Sequence, residues 1–160
     1  MSLKRLPILV VLALAACEKP SDYLPKTPQV TTATAPGPEA ILALRNAISP
    51  CEHAMDTAAD AIADLAARSA ALPESRQVIG VARTVCSQAS EAVQVAPVWS
   101  RLKDPCAQAV YAREGVIDAA LRMLNGQGGA LGMHALRDRI KDQVSASRTC
   151  AAAIAAAEGA

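Results

Sequence analysis

Cysteines, histidines and one short row of carboxylates are the side chains of this 160-residue chain best suited to chemistry. Cys51, Cys86, Cys106 and Cys150 form an even set, and no two of them make a Cys-x-x-Cys pair. That spacing points to structural disulfides rather than to redox-active thiols or haem attachment. Glu52, Asp56, Asp60 and Asp64 recur every fourth residue, with His53 beside them. Such a row lies along one side of a helix, where it can meet a cation or an Arg/Lys-rich partner. A metal site needs ligands converging from several directions, and one helix offers them from one side only. No metal is therefore expected, and the plain reading is a solvated face near a helix N-terminus. His53 and His134 are the only histidines, and no GxSxG or HExxH motif surrounds them. No catalytic residue and no cofactor is assigned, and the chain is not expected to be an enzyme. Gly126, Gly128, Gly129 and Gly132 follow no strand and lead to no Gly-Lys-Ser/Thr, so they mark a turn. Trp99 and Arg101 lie between Pro97 and Pro105. Trp and Arg are enriched at binding hot spots. Trp99 can serve as a lid over a bundle end or as a partner anchor. Trp99, Arg101, Asp56 and Asp60 are the partner-binding candidates.

Composition narrows the setting for these residues. The chain is 52% hydrophobic with 36 alanines, no Phe, and only Tyr23, Trp99 and Tyr111 as aromatics. So apolar a chain is not disordered throughout. A β-sandwich would need β-branched and aromatic alternation. Nucleic-acid binding would need a basic field or stacking aromatics, and neither is present.

Residues 1–17 read MSLKRLPILVVLALAAC. Lys4 and Arg5 precede a nine-residue apolar run, Leu6 to Leu14, which is too short to span a bilayer. A charged start, a short apolar run and small residues before a cleavage point make an export signal over residues 1–16. Leu14-Ala15-Ala16-Cys17 resembles the lipobox of bacterial lipoproteins. That resemblance implies cleavage before Cys17, a diacylglyceryl group on its thiol and acylation of its new amino group. By the same resemblance, Glu18 instead of Asp implies the outer membrane, facing the periplasm, as the address. Acyl chains at ~0.8 kcal/mol per buried CH₂ would make the anchor durable. Without Lys4 and Arg5 the chain keeps 14 basic and 15 acidic residues, so no bulk charge selects anionic partners.

Residues 17–38 form a Pro/Thr-rich tether carrying Pro20, Pro25, Pro28, Pro36 and Pro38. At ~3.1 Å per residue, an extended Pro-rich segment of this length reaches on the order of 60 Å. Beyond it, residues 39–160 have an Ala-rich, amphipathic texture. Pro50, Pro73, Pro97 and Pro105 read as helix boundaries, because proline is tolerated in a first turn and breaks an interior. Ser49-Pro50-Cys51-Glu52 and Asp104-Pro105-Cys106 look like capped helix starts. The helices expected are 39–48, 50–71, 74–96, 105–124 and 131–157. Each of the four long ones carries one apolar stripe: Cys51, Met55, Ala58, Ile62, Leu65 and Leu72 in the first, and Met133, Leu136, Ile140, Val144, Ala151 and Ile154 in the last. The expected fold is all-α, an up-and-down four-helix bundle.

Four cysteines allow three pairings. Residues equidistant from a hairpin turn face each other: Cys106 and Cys150 centre on the glycine turn, and Cys51 and Cys86 centre a few residues before Pro73. This favours 51–86 and 106–150, with 51–150 and 86–106 as the alternative. Pro50-Cys51 and Pro105-Cys106 begin a weak two-fold repeat, which Arg83-Thr84-Val85-Cys86 and Arg148-Thr149-Cys150 continue.

The functional expectation is a non-enzymatic envelope lipoprotein, held to the membrane through Cys17 and binding another envelope protein. Pilotins, small helical outer-membrane lipoproteins, are similar only as a class. The alternative is an inhibitor of a periplasmic or exogenous enzyme. An adaptor should expose an apolar groove, and an inhibitor should present a protruding loop near 97–104.

Overall fold

A computed structural model describes residues 37–68, 74–127 and 129–159. The export signal, Cys17 and residues 18–36 of the tether lie outside the described residues, as do Ser69, Leu72 and Pro73. The described part is four helices in chain order: α1 (Pro38–Arg68), α2 (Ser75–Val95), α3 (Ser100–Leu124) and α4 (Gly129–Glu158). They run up and down as a four-helix bundle, the architecture the stripes predict.

The stripe on α1 explains why it is one helix and not two. Ile41, Leu44, Ile48, Cys51, Met55, Ala58, Ile62 and Leu65 follow an unbroken spacing of three and four, and all but the half-buried Met55 are buried. The expected boundary at Pro50 is absent: Pro50 lies inside α1, and residues 39–48 are its first turns. An interior proline costs about 3 kcal/mol, because it removes one helical hydrogen bond and crowds the carbonyl four residues back. Here that carbonyl belongs to Asn46, and Asn46 and Pro50 are both exposed, so solvent can satisfy it. Stopping the helix at residue 49 would break the register that buries Ile41, Leu44 and Ile48. Burial of each large aliphatic side chain is worth about 1.5–3 kcal/mol, so continuity wins.

The same correction applies to α3. Its expected start at Asp104-Pro105 is overturned, and the helix begins at Ser100 with Pro105 inside it. This earlier start buries Leu102 one turn before Cys106. Trp99 caps it through the backbone, its carbonyl accepting from the N–H groups of Leu102 (3.0 Å) and Lys103 (2.8 Å). The connector between α2 and α3 is therefore only residues 96–99, and 100–104 form no protruding loop.

Two disulfides staple the hairpins, Cys51 to Cys86 across α1 and α2, and Cys106 to Cys150 across α3 and α4. In both, the Cα atoms are 4.5 Å apart. Small buried residues within two turns of the cysteines (Ala58, Ala82, Ala109) allow such close backbones. The hairpins share one design: a helix with an interior proline directly before a buried cysteine.

Packing is asymmetric. α1 packs against α2, α3 and α4, whereas α2 and α4 make no close approach. α4 has the fewest fully buried side chains, with only Leu136, Cys150 and Ile154 buried among its described residues. Val144 and Ala151, expected on its apolar stripe, are exposed.

Polar contacts fix the ends. Arg76 of α2 donates to Asn125 Oδ1 and to the Leu124 carbonyl, both at 2.7 Å, closing the C-terminus of α3. Lys103 Nζ donates to the Gln94 carbonyl at the C-terminus of α2. Arg45 and Glu158 join the first turns of α1 to the last turn of α4 at 2.7 Å.

The Pro50→Ala variant tests the proline argument. Alanine restores a donor to the Asn46 carbonyl, while the variant loses proline's restriction of the unfolded chain. The expected net gain is about 1–2 kcal/mol in urea unfolding. A loss instead would mean that α1 needs its shape at Pro50 to seat the upper stripe.

Candidate functional site

The row Glu52, Asp56, Asp60 and Asp64 lies on α1 but does not act as one unit. Each step of four residues falls 40° past a full set of turns, so the row winds around the helix. Its first member reaches across to α3. Glu52 Oε1 accepts a 2.7 Å hydrogen bond from Arg113 Nη2 of α3. The Arg113 side chain is 5% exposed and that of Glu52 is 51% exposed. Glu52 therefore joins an interhelical ion pair while its side chain stays half exposed to solvent. Arg113 Nη1 has no hydrogen-bond partner among the described residues. Asp56 and Asp60 are exposed, and neither makes an ion pair among the described residues.

Arg113 is the residue that sequence reasoning missed. Cys106, Ala109, Val110, Ile117 and Ala120 define the buried face of α3, and Arg113 occupies the gap between Val110 and Ile117. A charged residue at a stripe position was the available signal.

Two further grooves flank α1. Between α1 and α2 runs an apolar groove of about 470 Å³, walled by Pro50, Ala54 and Thr57 on one side and by Val78, Val81 and Val85 on the other. His53 stands at its edge. Between α1 and α4 a more polar groove of about 450 Å³ is lined by Leu42, Arg45, Glu52, Ser147 and Ile154 among others.

The partner-binding candidates lie apart from the lining of these grooves. Trp99 is half-buried on the short connector, and Arg101 is exposed in the first turn of α3. None of Trp99, Arg101, Asp56 and Asp60 lines either groove. His53 and His134 are exposed and sit on different helices. Among the described residues no three His, Cys, Asp or Glu side chains come together as a metal site.

The Glu114 carboxyl is pushed above its ordinary value, first by burial and then by Asp118 one turn along; Arg83 opposes the shift. Arg83 Nε lies 3.3 Å from Asp118 Oδ1. A carboxyl whose folded pKa is raised binds its proton more tightly in the folded state. Its ionised form thus opposes folding at neutral pH, and that cost disappears as the pH falls through the folded and then the unfolded value. Glu114→Gln is expected to raise Tm at pH 7. The advantage over the parent should vanish by about pH 4, below the ordinary Glu value of ~4.3. A Tm difference that does not change with pH would show that the effect is not electrostatic.

The fold and its surfaces define a class: a doubly stapled all-α bundle with a lateral apolar groove. No protein-family description, characterised protein or solved structure matches this chain at a significant level.

Proposed function

We propose that the protein is a non-enzymatic, periplasm-facing envelope lipoprotein that binds another envelope protein. The observation that carries this reading is Leu14-Ala15-Ala16-Cys17 at the end of a charged, then apolar, N-terminal segment. Lipid on Cys17 would hold the chain to the membrane, and the tether would set its reach. Two further features support the reading. Disulfides persist in oxidising compartments such as the periplasm. In addition, no helix among the described residues is long and apolar enough to cross a membrane, so membrane attachment in this reading falls to the lipid.

Metabolic labelling with palmitate, followed by membrane fractionation, tests the anchor. The parent chain is expected to incorporate label and to fractionate with the outer membrane. Cys17→Ser should do neither. Label retained in Cys17→Ser would sink the lipoprotein reading, and inner-membrane fractionation would overturn the address. If the chain instead captures a soluble enzyme equally well with and without Cys17, the inhibitor reading replaces the adaptor.

A further inference from the structure

The side of the bundle where α1 and α4 lie next to each other carries opposite charges that do not meet. Two contacts fix how these helices align. Arg45 of α1 pairs with Glu158 of α4, and Arg137 Nε of α4 donates to the Ala66 carbonyl of α1 at 2.8 Å. Ala66 comes 21 residues after Arg45, and Arg137 comes 21 residues before Glu158, so the antiparallel helices stay level along that length. Asp56 is then level with Ser147, beside Arg148, and Asp60 is level with Gln143, two residues from Lys141.

Helix geometry turns these residues to one side. On α1, Leu42, Arg45 and Ser49 line the groove toward α4. Asp56 stands about 20° around the helix from Arg45 and from Ser49, and Asp60 is about five whole turns beyond Leu42, so both continue that side past the groove. On α4, Ala151 and Ala155 line the same groove. Arg148 stands about 20° from Ala155, Lys141 about 40° from it, and Val144 about 20° from Ala151. Asp56, Asp60, Lys141 and Arg148 are all exposed. Among the described residues Asp56, Asp60 and Arg148 form no ion pair, and Lys141 pairs only with Asp138 of its own helix. Leu42 is 57% and Val144 41% exposed on this side, and Ala59, Ala63, Ala151 and Ala155 are exposed with them. The surface is therefore low and partly apolar, with acids along one helix and bases along its neighbour.

Such a face fits its own copy under one symmetry. A two-fold axis parallel to the helices keeps every residue at its level and exchanges α1 for α4, so each acidic row meets the basic row of the other copy. A two-fold axis across the helices, in the plane of the face, would set α1 on α1 and acids against acids. We infer that this face joins two copies of the chain in a two-fold dimer, with Asp56 and Asp60 of each copy against Arg148 and Lys141 of the other. Val144 of each copy then meets Ala59 and Ala63 of the other, at the same level. Complementary charge fixes partner and register, while Leu42, Val144 and the alanines supply apolar contact. Both copies of Pro38 lie at one end of this dimer. The inference does not depend on the adaptor reading.

Photo-crosslinking combined with a charge swap tests it. The full chain carries a benzophenone amino acid in place of Val144, or in place of the exposed Val81 of α2 or Tyr111 of α3 as controls. It is irradiated in the cells that make it, and the crosslinked peptides are sequenced. Val144 is expected to give an adduct of twice the mass of the chain, at least tenfold above either control, with its crosslinked peptide drawn from α1. The variant Asp56→Lys, Asp60→Lys and the variant Lys141→Glu, Arg148→Glu should each lose this adduct tenfold or more when made alone, with thermal melts like the parent's. Made together in one cell, each variant offers the other opposite charge on both helices, and the adduct should return to near the parent level. An adduct indifferent to the reversals, or one that the mixture does not restore, would overturn the dimer. So would a peptide from α4 of the second copy, a stronger adduct from either control, or no adduct at all. Capture of a different protein at Val144 would overturn the second copy as occupant and leave the adaptor reading standing.

Discussion

Replacing both Cys106 and Cys150 with alanine is expected to lower the stability of the bundle by about 4 kcal/mol. In the chain-entropy model the loss grows with the loop closed, and this loop spans 44 residues. The bond between Cys51 and Cys86 closes 35 residues and is expected to be worth nearly as much. Whole domains are stable by only ~5–15 kcal/mol, so either loss removes a large fraction. For a domain of this size the melting temperature should fall by roughly 15 °C. The consequences should differ between the two staples. α4 has only Leu136 and Ile154 as buried residues apart from Cys150. Without its disulfide it is expected to open locally, and amide exchange along α4 should accelerate more than in α1 to α3. α2 buries Ile79, Ala82, Ala89 and Val93 besides Cys86, so losing the bond between Cys51 and Cys86 should weaken the bundle as a whole. A melt shifted by less than ~3 °C in both pairs would show that packing alone holds the fold.

The ion pair between Arg113 and Glu52 is expected to show opposite signs for its two partners. Glu52→Gln leaves a guanidinium in the core without its counter-charge. Breaking a buried pair in this way costs about 3–5 kcal/mol, and the half-exposed position of Glu52 reduces that to about 2 kcal/mol. Arg113→Met removes the charge, keeps much of the volume and also removes the unpartnered Nη1. Replacing a buried pair by an apolar side chain is often neutral or stabilising by about 1–4 kcal/mol. The Met variant should therefore be no less stable than the parent, and Glu52→Gln should cost nothing in the Arg113→Met background. Chemical denaturation of the parent, both single variants and the double variant gives this cycle directly. A Met variant that loses several kcal/mol would mean that Arg113 makes favourable contacts beyond Glu52. The same pair sets α1 against α3 at one level, a contact between helices that the two disulfides do not link.

Much of the fold was legible along the chain. Spacings of three and four on all four long segments specify amphipathic helices, and short connections between them specify an antiparallel bundle. Hairpin geometry favours cysteine pairing within each hairpin, and Cys51–Cys86 and Cys106–Cys150 are the bonds present. The candidate surface was legible only in part. Asp56 and Asp60 were visible as a charged row, but the valines that wall the groove between α1 and α2 read as a broad core stripe on α2. Periodicity tells how wide an apolar face is, and it does not tell how much of that width a neighbour covers.

Where local and global terms competed, only the tertiary structure decided. Pro50 and Pro105 carry strong local signals to end or begin a helix, worth about 3 kcal/mol each. Both sit inside helices, because the apolar stripe continues through them and its burial against other helices outweighs a local cost. Arg113 interrupts the apolar pattern of α3 by itself, and its burial becomes tolerable only when α1 brings Glu52 to 2.7 Å. Local rules act between residues a few positions apart and can be read from the sequence. Burial and charge compensation depend on which helix arrives on the other side, and that is settled only when all four pack together.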